Sequence, residues 1–449
     1  MQHCRLAAMF GIASALMFTT SVFAENKPAA WTVMVYMNAK NNLENDGIQN
    51  FLEMAGLPMS SDINLLVAMG RPARHLTTEY GAWSGVRLFH ITKGLTPTSE
   101  HAEINLNNEH LDDMGSTRPL ERLLLWGKER YPAARYMLII WNHGQGWRLQ
   151  LTKDEKIRDA SAAGRAPDLL RDMTESQLPP PPASFKSVSF DDDKKTFLYN
   201  RDIQEALLRL RPAVALSVIG FDACLMSMIE TAYAMRGVAE TMVGSEELEP
   251  GAGWPYKEWL QMLAKNPRAS SRDISKMLVD AYRTRYGDVY RTTQSAIVLS
   301  AVSDFAKRFS ILSGHIQNQL ATELSSVRAA RAGIHTYGEE ARLHTSVDLG
   351  LFLERYGSLT HDPKIAEQAR SLRAAVDKEL VIDNYASNRV QGNYGSHGIA
   401  FYFPETKQQF DSDSPNNRGY DPTIHDQHSV EFVEKETWPK LLLQYLKSK

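Results

Sequence analysis

Two short stretches of this 449-residue chain carry side chains suited to acyl transfer. Gly220-Phe221-Asp222-Ala223-Cys224-Leu225-Met226-Ser227 sets a thiol two residues after a carboxylate, and Trp141-Asn142-His143-Gly144-Gln145-Gly146-Trp147 sets an imidazole between an asparagine and a glycine. A cysteine beside a histidine can become a thiolate–imidazolium pair, the usual activation of a thiol nucleophile. Gly144 lets the backbone come close to a substrate, so the N–H groups of Gly144 and Cys224 are candidates to hold a developing oxyanion. Taken singly these features are bland. A strand-end histidine is more often structural, and an unpaired cysteine is more often buried and inert. Their coincidence lifts the chemical reading above that background.

The elements that must position them are legible as apolar runs. Tyr136 to Trp141 leads into the histidine stretch, and Val214 to Ile219 leads into the cysteine stretch. Similar runs occur at Trp31 to Met37, Ile63 to Met69 and Val86 to Ile91, separated by helical patterns through Met54, over Pro119 to Tyr131 and over Arg201 to Leu210. This β-α-β alternation predicts an α/β sandwich with a mostly parallel central sheet and helices on both faces. Active sites of open α/β sheets form beyond the carboxyl ends of the strands. If the two strands are neighbours, His143 and Cys224 face each other across one edge. Past residue 260 the pattern turns largely helical, with strand-like runs at Ser295 to Val302 and His397 to Phe403 and a final amphipathic helix over Trp438 to Leu446.

Residues 1–24 read as an export signal: Arg5, an apolar stretch from Leu6 to Phe18, then Val22-Phe23-Ala24 before the expected cleavage. Cleavage would remove Cys4, leaving Cys224 as the only thiol of an exported protein and no disulfide framework. The expected location is periplasmic or extracellular, with no membrane attachment after cleavage. A net charge of −3 and the lack of a basic stripe interleaved with aromatics argue against nucleic-acid binding. Residues 25–405 are expected to form the main domain and 406–449 a C-terminal tail. Within the domain, 148–187 reads as an exposed insertion, with Pro179 to Pro182 and many charges; it is a candidate processing linker.

The chain resembles the clostripain family of cysteine peptidases, peptidase family C11, from about Trp31 to Pro404. "WTVMVYMNAKNNLE" resembles the family's opening strand and loop, with Lys40 where an aspartate is usual. "WNHGQGW" resembles its histidine motif, "FDACLMSMIETAY" its nucleophile motif and "VGSEELEPGAGWPY" the segment that follows; "VDLGLFL" and "GIAFYFP" match later signatures. The resemblance implies a caspase-like fold with Cys224 as nucleophile, His143 as general base and then acid, and Asp222 as the floor of a pocket for a basic P1 side chain. The alternative for Asp222 is a helix N-cap ahead of Leu225 to Tyr233. The implied activity is hydrolysis after arginine or lysine in protein or peptide substrates, by a monomer, with cleavage into two chains left open. A transpeptidase or self-processing enzyme with the same dyad, and a catalytically silent binding module, are the rivals. No cofactor is expected. Calcium, which some relatives require, is left open at Asp191-Asp192-Asp193, where a solvated turn beside Lys194 and Lys195 is the simpler reading because the EF-hand spacing is missing. Glu246 and Glu247 either line the cleft or are exposed charges. Neither His-Glu-x-x-His nor Gly-x-Ser-x-Gly occurs, and Tyr394 to Gly398 lacks the nucleophile-elbow spacing.

Overall fold

The computed structural model describes residues 28–147, 188–338, 345–388, 390, 395–413 and 419–448. The export signal and the insertion 148–187 lie outside the described residues. The strands in chain order are β1 (Ala29–Asn38), β2 (Ile63–Arg71), β3 (Gly85–His90), β4 (Ile104–Asn105), β5 (Ala133–Trp141), β6 (Val188–Asp191) and β7 (Thr196–Leu198). They continue with β8 (Leu216–Asp222), β9 (Thr241–Gly244), β10 (Thr293–Val298), β11 (Thr336–Tyr337), β12 (Ser346–Asp348), β13 (Val381–Ala386) and β14 (Ala400–Tyr402). Nine of them form one sheet in the order β13-β10-β9-β8-β5-β1-β2-β3-β4. The inner five, β9 to β2, are parallel, and the strands added at both edges are antiparallel.

Residue alternation explains the three layers. Trp31, Val33, Val35 and Met37 of β1 join Met137, Ile139 and Trp141 of β5 in one core; Met34 and Tyr36 join Leu138 and Ile140 in the other. Helices α1 (Glu44–Ala55), α5 (Tyr256–Lys265) and α6 (Ser271–Tyr286) cover the first face. Helices α2 (Thr117–Arg130), α3 (Asn200–Leu210), α4 (Ile229–Met235) and α7 (Leu299–Asn318) cover the second. With apolar residues on both faces, the inner strands read as unbroken hydrophobic runs, which is the signature of a doubly covered sheet. The architecture is the caspase-like α/β/α sandwich, extended by helices Leu320–Arg331, Leu349–Leu359, Pro363–Ala375 and Trp438–Lys447.

Three expectations change in detail. Val86 to Ile91 becomes β3, but it pairs antiparallel with β2. The run from Ser295 stops at Val298, and Leu299 already begins α7. The run His397 to Phe403 keeps strand geometry only over Ala400–Tyr402, in a separate three-stranded sheet with β11 and β12.

Candidate active site

The register of the parallel pair β5–β8 sets Trp141 beside Asp222, and the Asn142 N–H donates to the Asp222 carbonyl at 3.2 Å. His143 and Cys224 therefore leave the sheet two residues beyond the same rung. Their backbones touch: a Cβ on Gly144 would overlap the Cys224 carbonyl oxygen and lie 3.0 Å from the Cys224 nitrogen and 2.9 Å from Ala223 Cβ. Only glycine allows that approach. Gly144 is also bridged antiparallel to Val188, so the β6–β7 hairpin buttresses the histidine loop from its other side.

The imidazole is oriented from the loop after β1. Asn42 Oδ1 lies 2.8 Å from His143 Nε2. With the amide oxygen as acceptor, Nε2 carries the proton and Nδ1 the lone pair, which is the tautomer a proton acceptor needs. Burial pushes the imidazole down to about 4, although the ring keeps partial solvent contact.

The thiol sits in an acidic corner. The Glu249 N–H donates to Cys224 Sγ at 3.2 Å. Burial, and then the carboxylates of Glu249, Glu247 and Asp222, push the thiol up to about 12, the one opposing influence being that N–H. At neutral pH the resting pair is thus thiol and neutral imidazole. The next residue, Leu225, has φ +62°, a left-handed conformation that costs a non-glycine residue on the order of 1–2 kcal/mol. Its N–H is fixed to the Glu247 carbonyl at 3.2 Å. Such strain beside a reactive group persists only where the surroundings enforce it.

Asp222 does not cap a helix. Helix α4 begins at Ile229, with Met228 at its N-cap, because the left-handed Leu225 turns the chain away before it can coil. The Asp222 carboxylate instead accepts the Trp254 N–H at 3.2 Å and the Tyr256 hydroxyl at 2.9 Å, and it is buried. The Glu249 carboxyl is its neighbour and lies nearer the surface. Burial raises both groups, Asp222 to about 6, and Glu249 is raised further by the Asp222 charge. Gly253, at φ +63°, carries no side chain over Asp222; a Cβ there would sit 3.1 Å from both Asp222 oxygens. Glu249 and Asn42 are the two residues that sequence reading did not single out. Both stood within quoted motifs. Glu249 follows the cysteine by 25 positions and comes back only through the fold of the loop after β9.

Other carboxylates have structural duties. Glu246 and Glu247 are buried rather than exposed. Glu247 accepts the Gly338 N–H at 2.8 Å and lies 3.1 Å from His335 Nε2, and Glu246 accepts from Ser396 and from the Gly398 N–H. Asp191 is buried against Lys40 Nζ at 2.9 Å, so the aspartate run is not a fully solvated turn. Calcium takes six to eight oxygen ligands, and the lysine ammonium lies where such an ion would have to sit. These residues do not fit calcium. Among the described residues, no group of three or more His, Cys, Asp or Glu side chains is placed to hold a metal ion.

A caspase-like sandwich with a thiol and an imidazole at adjacent strand ends defines the class. The sequence model of the clostripain family matches residues 35–158 and 174–445, and the chain belongs to that family of cysteine peptidases. The clostripain of Hathewaya histolytica is 28% identical over 256 residues, which covers 53% of this chain and 43% of that protein. The match thus spans less than half the length of that relative. Two solved structures share the fold. A secreted C11 cysteine protease from Bacteroides thetaiotaomicron, in complex with an irreversible peptide inhibitor, gives a TM-score of 0.58 at 17% identity, covering 90% of this chain and 98% of that one. An inactive zymogen C11 protease from Parabacteroides distasonis gives 0.58 at 18% identity, covering 93% and 99%.

Proposed function

We propose that this protein is an exported cysteine endopeptidase that cuts after arginine or lysine, with Cys224 as nucleophile and His143 as proton shuttle. The observation that carries the reading is the common rung: both residues leave neighbouring parallel strands at one level, and Gly144 brings their backbones into contact. Cys224 Sγ attacks the scissile carbonyl carbon while His143 Nδ1 takes the thiol proton. The Gly144 and Cys224 N–H groups hold the resulting oxyanion. Collapse expels the amine, which His143 protonates. Water then attacks the thioester, again deprotonated by His143, and releases the acid with the thiol restored. A cationic P1 side chain placed at Asp222 and Glu249 offsets the carboxylate charge that adds to burial in keeping the thiol protonated, so binding favours the attack.

Export is supported by the pattern of residues 1–24 and by the description of the B. thetaiotaomicron relative as secreted. Among the described residues no helix is long and apolar enough to cross a membrane. The direct test of the activity is a fluorogenic peptide panel varied only at P1. Cleavage confined to arginine and lysine is expected, and equal cleavage of neutral residues would overturn the specificity.

Two further outcomes are expected. Gly144→Ala forces a methyl into the Cys224 backbone, which cannot yield as a side chain would. The loss in kcat/KM should be on the order of 10²-fold, the scale of an ångström misplacement, and Tm should fall as the Cys224 backbone is displaced. Full activity would show that the close approach is not needed. The second concerns pH. The charged pair attracts a cation and the protonated pair does not. Because burial raises Asp222 to about 6 and raises Glu249 as well, kcat/KM for a P1-arginine substrate should climb with pH through about 6 and keep rising as Glu249 ionises. An ordinary carboxylate, near 4, would already be ionised there. A neutral-P1 substrate should lack that limb; coincident profiles for the two substrates would remove the pair from P1 recognition.

A further inference from the structure

One buried charge has no part in the chemistry above. Lys40 lies two residues beyond the end of β1 and is 1% exposed. Its stem fills space left by Gly70, where a Cβ would come within 2.9 Å of Lys40 Cγ. Its three ammonium protons meet three oxygens: Asp191 Oδ2 at 2.9 Å, Asp193 Oδ2 at 3.4 Å and the Asp112 carbonyl at 2.7 Å. A lysine so placed is a built feature, because burying an ammonium is costly unless it is paired and hydrogen-bonded.

The bonds around it join three segments into one unit. The Lys40 carbonyl accepts the Asp192 N–H at 2.9 Å, and Asn41 Nδ2 donates to the Phe190 carbonyl at 2.9 Å. The Phe190 N–H donates to Asn142 Oδ1 at 2.9 Å, and Asn142 Nδ2 donates to the Asn38 carbonyl. Asn142 precedes His143, and Asn42 holds its Nε2. The strap 38–42, the β6–β7 hairpin and the histidine loop therefore move together, with the Lys40 ammonium at their junction.

We propose that Lys40 is a positioning residue for His143, its ammonium clipping the strap to the hairpin so that Asn42 is held against the imidazole. The proposal rests on the reading of His143 as proton shuttle. Without the ammonium, the strap loses its side-chain tie to Asp191, Asp193 and the Asp112 carbonyl and loosens from the hairpin. Asn42 moves with it, and the imidazole loses the contact that sets its tautomer.

The test compares Lys40→Met with Lys40→Met/Asp191→Asn, which removes the buried negative charge together with the cation and protects folding. Turnover of a peptidyl-arginine substrate is measured per titrated thiol, and the His143 ring nitrogens are followed by NMR. Both variants should lose on the order of 10²-fold in kcat with KM little changed, and the imidazole should lose its Nε2–H preference. Lys40→Ala should regain part of the rate in propylammonium but not in sodium at equal ionic strength. A folded variant with wild-type kcat and an unchanged imidazole overturns the proposal, as does failure of both to fold, which would assign Lys40 to stability alone. The two readings separate cleanly. An active His143→Ala sinks the proton-shuttle assignment itself, whereas an inactive His143→Ala beside fully active Lys40 variants sinks only the positioning role.

Discussion

Cys224→Ala is expected to fold and to have no measurable turnover, and His143→Ala is expected to match it. Acyl transfer needs both the sulfur and the group that moves its proton, and residues acting as a unit are lost together rather than additively. The demand on His143 is severe here. With the thiol pushed up to about 12, there is almost no thiolate at neutral pH to attack unaided. The free enzyme should accordingly react slowly with iodoacetamide near pH 7. Folding is checked by circular dichroism and Tm, since Cys224 only packs against the edge of one buried core and His143 belongs to neither. Turnover by purified Cys224→Ala would remove the mechanism, and a fully active His143→Ala would require another base.

Asp222→Asn is expected to separate basic from neutral substrates. A charge-assisted bond between a buried carboxylate and a guanidinium is worth about 1.5–3 kcal/mol. That converts to about tenfold to a hundredfold or more in kcat/KM for P1 arginine. Asparagine keeps the size and an acceptor for the Trp254 N–H and the Tyr256 hydroxyl, so the loop can stand. Arginine should suffer more than lysine where two prongs reach Asp222 and Glu249 together. Neutral-P1 substrates should lose much less. Equal loss for both types would assign Asp222 to holding the Trp254–Tyr256 turn, since the helix-cap alternative is already excluded by the start of α4 at Ile229.

The parts legible in the sequence are those with a physical period. The apolar runs of β1, β2, β5 and β8 are unbroken because both faces of each strand are buried, and their carboxyl ends carry the two reactive stretches. Strand direction is less visible. The run that becomes β3 looks the same either way, but residues 72–84 offer no crossover helix, and that was the available clue to an antiparallel pair. The early helix offered as the alternative after Asp222 does not form, because a left-handed Leu225 leaves no mark in residue type. Lys40 was visible only as a departure from a pattern. Its counter-charges come from Asp191 and Asp193, some 150 positions away, and only tertiary structure brings them together. Glu249 was hidden for the same reason, as its contact with the thiol depends on how the loop after β9 folds back.

The central claim is that Cys224 attacks the carbonyl carbon of a basic P1 residue. The measurement that tests it most directly is mass spectrometry of the protein after treatment with a peptidyl-arginine chloromethyl ketone, followed by peptide mapping of the adduct. The account predicts one equivalent bound at Cys224. His143→Ala and a matched peptide with neutral P1 should label far more slowly, and Cys224→Ala should not label. An adduct at another residue, or equal labelling by the arginine and neutral reagents, would contradict it.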